Sequence, residues 1–283
     1  MEVKLVDYHV HCDYSLDAEG TVEKYCARAL ELGFTEICFT PHYEIDPLRH
    51  EMARAKGKKV PMTSDWLSTY LSELNAAKRI YRNKRLTIRA GIEVGYQPEI
   101  EREIRRKLAE YSFDFVLGSV HCLDHVDISD PKESVEYFKN RSAVQAIKSY
   151  YYALQKAVDS QLFDSIGHLD VYKMYGADYY GQEVLSMHRN YVEPILESMA
   201  ENWVGLEINT RCLRLGLGET SPSFDILTKA KQKGIRIITV GSDCHRVEEL
   251  GAGIVEAYRL ALKAGFNEIS KFAKRRRTSF RLR

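Results

Sequence analysis

A sevenfold alternation of short apolar runs with helical patterns limits this chain to few folds. The runs are Lys4–His9, Glu36–Thr40, Leu86–Glu93, Phe113–His121, Phe163–His168, Val204–Asn209 and Ile235–Gly241. After the first, Val22, Tyr25, Cys26, Ala29 and Leu30 recur at helical spacing behind a Thr21 cap, and Gly33 closes that helix. Asp65–Arg82, Pro98–Tyr111, Ser142–Ser160, Glu183–Ala200, Ser223–Lys233 and Gly251–Ala264 read as further helices. Strand-then-helix units imply a parallel sheet with crossover helices. Regular alternation along 283 residues favours a closed barrel over an open sheet, so residues 1–283 are expected to form a single α/β domain. Two stretches stand outside the repeat, Tyr43–Thr63 and Leu123–Asn140. Each follows a strand end, where loops build the active-site rim of such barrels.

Composition removes several function classes. Hydrophobic residues are 45% and charged residues 29%, the balance of a chain with a sizeable core. Lys plus Arg number 41 against 40 Asp plus Glu, so the net charge of +1 gives no global attraction to nucleic acid or membrane, and neither partner is expected. No apolar run approaches a bilayer span, and the N-terminus lacks a basic-then-apolar signal segment, so a cytoplasmic location is expected. The six cysteines at 12, 26, 38, 122, 212 and 244 form no CxxC pair, which argues against a disulfide framework or a zinc finger. Cys12, Cys122 and Cys244 adjoin His or Asp residues at strand ends, but neighbours on an extended segment point to opposite faces, so they are expected to pack the wall. The basic tail, Lys274–Arg277 with Arg281 and Arg283, fits a solvated terminal segment better than a nucleic-acid site.

The chemistry-bearing residues collect where the apolar runs end. The first run ends in His9-Val10-His11, the second in Pro41-His42 and the third in Gly91-Ile92-Glu93. The fourth and fifth end in His121 and His168, and the seventh in Ser242-Asp243-Cys244-His245. Thus six of the nine histidines, with Glu93 and Asp243, would meet at one barrel mouth. His9 and His11 alternate along a strand and can face one ion together. Any one of these residues could be a packed or hydrogen-bonded side chain. As a set they point to a multinuclear metal site, because so many imidazoles without a cation would have to be desolvated together. Imidazole and carboxylate ligands suit zinc, iron or manganese and do not choose among them.

In this order, HxH, an isolated His, a strand-end Glu, two further strand-end His and a late SDxH, the residues resemble the polymerase-and-histidinol-phosphatase (PHP) family from Asp7 to His245. The segments DYHVHCDYS, TPHYE, GIEVGY, GSVH, GHLDVYKMYG and EINTR look most like its histidinol-phosphate phosphatase branch. The resemblance implies a distorted (β/α)7 barrel and up to three divalent ions. It implies that His9, His11, Glu93 and Asp243 hold the first ion, that Glu93 bridges to a second on His121 and His168, and that Asp17, His42 and His245 hold a third. Some members carry His where Asp17 stands; on sequence alone Asp17 could equally cap a helix or face solvent in a turn. Glu93 and Asp243 are accordingly the candidate catalytic residues.

The implied reaction is hydrolysis of L-histidinol phosphate to L-histidinol and phosphate, a step of histidine biosynthesis. A hydroxide bridging two cations would attack phosphorus in line, since a bound metal can lower the pKa of water to about 7. Arg211, after the sixth run, is the candidate phosphate clamp and Arg214 the second candidate. An aromatic and acidic rim of Tyr43, Glu44, Trp66 and Tyr70 could bind the amine and imidazole, although Trp66 and Tyr70 fit helix-core packing better. Other small phosphate monoesters, a phosphotyrosyl protein or a nucleic-acid 3′ end remain alternative substrates, and a metal-binding scaffold without turnover the non-enzymatic alternative.

Overall fold

The computed structural model describes residues 4–282. Seven strands run parallel in chain order: β1 (Leu5–Val10), β2 (Phe34–Phe39), β3 (Thr87–Gly95), β4 (Phe115–Ser119), β5 (Ser165–Ile166), β6 (Gly205–Asn209) and β7 (Ile238–Gly241). Each is almost wholly buried, as expected of strands covered on both faces. The crossover helices are α1 (Val22–Glu31), α2 (Trp66–Tyr81), α3 (Glu101–Glu110), α4 (Ala143–Asp159), α5 (Val192–Glu201), α6 (Phe224–Gln232) and α7 (Ile254–Lys263). Their ends follow local chemistry. The Thr21 side chain accepts from the Lys24 N–H at the start of α1, and Ser142 and Gln145 form a reciprocal capping box at the start of α4.

The sheet is nearly closed into a barrel. Beyond the end of β7, Asp243 N donates to His9 O at 2.9 Å and His11 N to Cys244 O at 3.0 Å. Nearer the strand centres the buried Asp7 carboxylate takes the place of a ladder partner, accepting from Ser242 N at 2.9 Å and Gly251 N at 3.2 Å. The closed mouth therefore brings β1 and β7, the first and last strands, side by side.

The two irregular stretches carry small hairpins, Met52–Ala55 with Lys58–Pro61 and Cys122–Leu123 with Val126–Asp127. One expectation is corrected and one is refined. The helix expected over Glu183–Ala200 is a 3-10 segment at Gln182–Asn190 followed by α5. Pro194 has no N–H to offer the carbonyl four residues back and its ring crowds it, so the helix restarts just before this proline. The basic tail, of which Arg283 lies outside the described residues, belongs to an ordered antiparallel hairpin, Glu268–Ala273 with Arg276–Arg281, across the end of the barrel where the strands begin. Phe272 packs against Tyr8 and Phe115, Lys271 pairs with Glu36 at 2.8 Å and Arg275 with Asp164 at 3.0 Å. These carboxylates lie just before or within the barrel strands, so Arg275 of the tail is paired at the barrel floor while Lys274, Arg276, Arg277 and Arg281 stay exposed.

Candidate active site

At the opposite end, the strand termini place one buried carboxylate among five imidazoles. Glu93, near the end of β3, has its Oε2 at 3.2 Å from His9 Nε2, 3.3 Å from His11 Nε2 and 2.9 Å from His42 Nδ1. Its Oε1 lies 2.9 Å from His168 Nε2, 3.3 Å from His121 Nε2 and 2.7 Å from the Ser119 hydroxyl that donates to it. His42 reaches this position because Pro41, which has no N–H, interrupts the line of β2, and the chain then pairs again with β3 so that His42 lies in register with Glu93. Asp243, just past β7, adopts a left-handed conformation with φ of 53° and turns its Oδ1 to 3.5 Å from both His11 Nε2 and His245 Nδ1. Asp17 approaches the same cluster, with Oδ2 at 3.0 Å from His245 Nε2 and 3.7 Å from His42 Nε2.

This arrangement fits cations and is hard to satisfy without them. The Nε2 atoms face one another at 2.9 Å for His9 and His11, 3.2 Å for His121 and His168, and 3.4 Å for His42 and His245. In the buried cluster Glu93 Oε2, His42 Nδ1 and His168 Nδ1 have no hydrogen-bond partner of acceptable geometry. Five overlapping groups of ligand atoms lie within 4.8 Å of each other, drawn from His9, His11, His42, Glu44, Glu93, His121, His168, Asp243 and His245. Burial would lower the His9 pKa, but Glu207, Glu93 and Asp243 beside it raise it well above the usual value. His11 is pushed down to about 4 by burial and by His42 and His245. A divalent ion among these groups supplies the positive charge that several adjacent imidazolium ions would otherwise have to carry.

Residues behind the cluster aim it. Glu207 on β6 accepts from His9 Nδ1–H at 2.7 Å and from the His168 backbone N–H at 2.9 Å, which leaves His9 Nε2 facing Glu93. Asn209 donates to Glu207 Oε2 at 3.1 Å and to Asp243 Oδ2 at 3.2 Å. The Ser15 hydroxyl lies 3.2 Å from His11 Nδ1. Sequence reasoning missed Glu207 as a site residue. Its signal is an acid inside the apolar run Val204–Asn209, which is tolerated only with a partner.

The cluster opens into a cavity of about 380 Å³, lined among others by Asp17, His42, His121, Arg211, Asp243 and His245. Arg211 Nη1 donates to Asp243 Oδ1 at 3.3 Å and sits 3.1 Å from His245 Nδ1, leaving Nε and Nη2 without a protein partner. Arg214 is not brought to the cavity. Its Nη1 and Nη2 donate to the carbonyls of Ser242 at 2.7 Å and Asp243 at 3.0 Å, so it braces the turn that carries Asp243. Glu44 lines the cavity, but its Oε1 is 2.6 Å from His121 Nδ1, which makes it the partner that orients His121. A Cβ on Gly95 would fall 1.6 Å from Glu44 Oε2, so the glycine of GIEVGY is what admits this carboxylate. Tyr43, Trp66 and Tyr70 do not form a rim; all are buried, packing in a chain of aromatic contacts under the inserted loop. Cys12, Cys122 and Cys244 are buried with their thiol pKa values raised by burial, which disfavours a thiolate nucleophile.

The sequence profile of the PHP domain matches residues 7–211, from just before the HxH pair to the cavity arginine. The chain belongs to the PHP domain family. Similarity to PHP proteins extends beyond the profile. The histidinol-phosphatase of Lactococcus lactis is 29% identical over 272 residues, 96% of this chain and 95% of that protein. The histidinol-phosphatase of Bacillus subtilis is 27% identical over 263 residues, 87% of this chain and 95% of that protein. The crystal structure of the Lactococcus lactis histidinol phosphate phosphatase, complexed with zinc, L-histidinol and phosphate, superposes with a TM-score of 0.81 at 28% identity, over 97% of this chain and 99% of that one. The mostly parallel, nearly closed seven-stranded barrel of this PHP domain is thus the one expected from the alternation. Among the described residues no helix is long and apolar enough to cross a membrane.

Proposed function

We propose that this PHP protein hydrolyses L-histidinol phosphate to L-histidinol and phosphate, a step of histidine biosynthesis. One observation carries the assignment. The Glu93-centred imidazole cluster and the free donors of Arg211 face a single cavity, in a chain similar along 97% of its length to a phosphatase whose structure holds zinc, L-histidinol and phosphate. His9, His11, Glu93 and Asp243 would hold one ion, His121 and His168 a second shared through Glu93, and Asp17, His42 and His245 a third. Zinc, iron and manganese all suit this donor set. When bound, such ions lower the pKa of water to about 7 and offset the charge that builds on phosphorus oxygens.

The chain's own groups then have defined tasks. The two oxygens of Glu93 face separate sets of imidazoles, the arrangement a bridging carboxylate needs. Glu207 and Glu44 fix the ring orientations of His9 and His121. Asn209 and Arg214 hold Asp243 from the side chain and from the main chain. Arg211 can fork onto a non-bridging phosphate oxygen pair through Nε and Nη2.

The test is a panel of phosphate monoesters and a 3′-labelled single strand, assayed with protein loaded separately with zinc, iron and manganese. L-histidinol phosphate is expected to show the highest kcat/KM. Preference for p-nitrophenyl phosphate or the nucleic-acid end would end the substrate assignment and leave the metal cluster intact. Elemental analysis is expected to find more than one ion per chain.

A further inference from the structure

The two stretches outside the strand–helix repeat are tied to each other through one arginine. Arg49, in the loop after β2, donates through Nε to Glu51 of its own loop. It then crosses to the loop after β4, where Nη1 and Nη2 engage both oxygens of Glu133, the latter at 3.0 Å, and Nη1 also reaches the His125 carbonyl at 3.3 Å. Four of its five guanidinium N–H groups are used in this way, so little donor capacity is left for a phosphate. Glu133 passes the constraint on by accepting from the Asp127 N–H at 3.3 Å. A second tie runs beside it, from Asp46 to His125 Nδ1 at 2.8 Å. On its other side the same inserted hairpin is fastened to the loop that carries Asp17. Arg54 N donates to Tyr14 O at 2.9 Å and its guanidinium to the carbonyls of Asp13, Leu16 and Ala18.

Arg49, Glu51, Asp127 and Glu133 all border the cavity that contains the Glu93 cluster. The inserted loops, which begin beside His42 and His121, thus form one wall of that cavity. That wall, with Leu16, Val171 and Met174, is the lining outside the metal-ligand candidates and Arg211 that can meet the alcohol half of a phosphate ester. Each of these loops has its own buried apolar residues, such as Met62 and Ile128, and the polar cross-links fix one loop relative to the other.

We propose that Arg49 is a positioning residue that locks the two inserted loops into one wall, and that this wall selects the alcohol portion of the substrate. The proposal rests on the substrate assignment above for its selectivity clause only. Arg49 hydrogen-bonds none of the metal-ligand candidates, and only one of its guanidinium N–H groups is left without a protein acceptor.

The experiment compares Arg49→Gln, Glu133→Gln and the double variant with wild type in the metal-loaded protein. In Arg49→Gln, kcat/KM for L-histidinol phosphate should fall about tenfold to a hundredfold, mainly through KM, as expected when a substrate-positioning wall shifts. Turnover of p-nitrophenyl phosphate should stay within about threefold and metal content should be unchanged. The double variant should be no worse than the poorer single variant, because both remove one contact. Amide hydrogen exchange should accelerate in residues 122–130, the loop that Arg49 ties to its own. Equal losses on both esters, additive single effects, or unchanged exchange in 122–130 would each overturn the proposal. If wild type prefers p-nitrophenyl phosphate, the substrate assignment and the selectivity clause both fail, and hydrogen exchange alone decides whether Arg49 is the brace.

Discussion

Glu207 and Arg211 lie four residues apart, within and just beyond β6, and their substitutions should fail in different ways. Glu207→Gln keeps the shape but removes the charge that holds His9 with its Nδ1 protonated and Nε2 free. Loss of such a carboxylate partner typically costs about 10- to 100-fold in metal affinity or activity. The variant should therefore need more metal for half-maximal activity, as read by titrating chelated protein; an unchanged titration would mean His9 is held by the strand alone. Arg211→Ala should leave metal content intact, because guanidinium is no ligand, and should reduce kcat/KM by about 2–4 kcal/mol for every phosphate monoester. Arg211→Lys should recover only part of this, since one ammonium cannot fork onto two oxygens. An Arg211→Ala enzyme with wild-type kcat/KM would place the phosphate clamp on another residue.

Among the elements, the C-terminal hairpin shows how two carboxylates on one barrel floor act with opposite sign. Burial would raise the Glu36 pKa, but hydrogen bonds from Arg89, Lys271 and Tyr8 lower it. A depressed carboxylate stabilises the fold above its unfolded pKa and loses that contribution as pH falls through its folded value. Asp164 behaves in the other sense. Burial pushes its pKa up to about 6 from an ordinary 3.8, and Arg275 and the Val116 N–H offset this only in part. Its contribution is complete below the unfolded value near 3.8 and is lost as pH rises through about 6. Chemical denaturation of wild type and Asp164→Asn at pH 4 and pH 7 should show it. Relative to the variant, wild type should lose about 2 kcal/mol across that interval, since each tenfold change in proton affinity between the folded and unfolded chain is worth about 1.4 kcal/mol and part of the change already lies below pH 4. A pH-independent difference would mean that Arg275 fully compensates the buried charge. Turnover should not follow this change, because the hairpin closes the end of the barrel away from the Glu93 cluster.

For the molecule as a whole, the cluster joins the ends of the chain. His9 on β1 and His11 just past it meet Asp243 and His245 beyond β7, where the polar links across the barrel seam are a few backbone hydrogen bonds and the Asp7 carboxylate. Ions that bind only the folded state stabilise it by mass action. Chelation should lower the melting temperature by about 5–10 °C, the change expected when about 2–3 kcal/mol of linked binding energy is lost from a chain of this size. Added zinc should restore it. Glu93→Gln should melt near the chelated wild-type temperature and respond little to either treatment. Equal melting temperatures with and without chelator would show that the seam is stable without ions.

The alternation of runs and helices was enough to determine the barrel, because parallel strands buried on both faces leave a mark in every local stretch of sequence. The strand-end positions of His9, His11, His42, Glu93, His121, His168, Asp243 and His245 were legible for the same reason: where a strand stops is written beside the ligand itself. Only the folded chain decided what each polar group faces. Glu44 looked like a substrate reader and turns to His121; Arg214 looked like an anion clamp and turns to two carbonyls; Glu207 lay unmarked in an apolar run and orients His9. The basic tail looked solvated, and its described basic side chains are exposed, but they sit on an ordered hairpin that closes the barrel floor. Each of these depends on a partner dozens to hundreds of residues away, and a polar side chain's role is set by which partner the closed barrel delivers, which no local pattern contains.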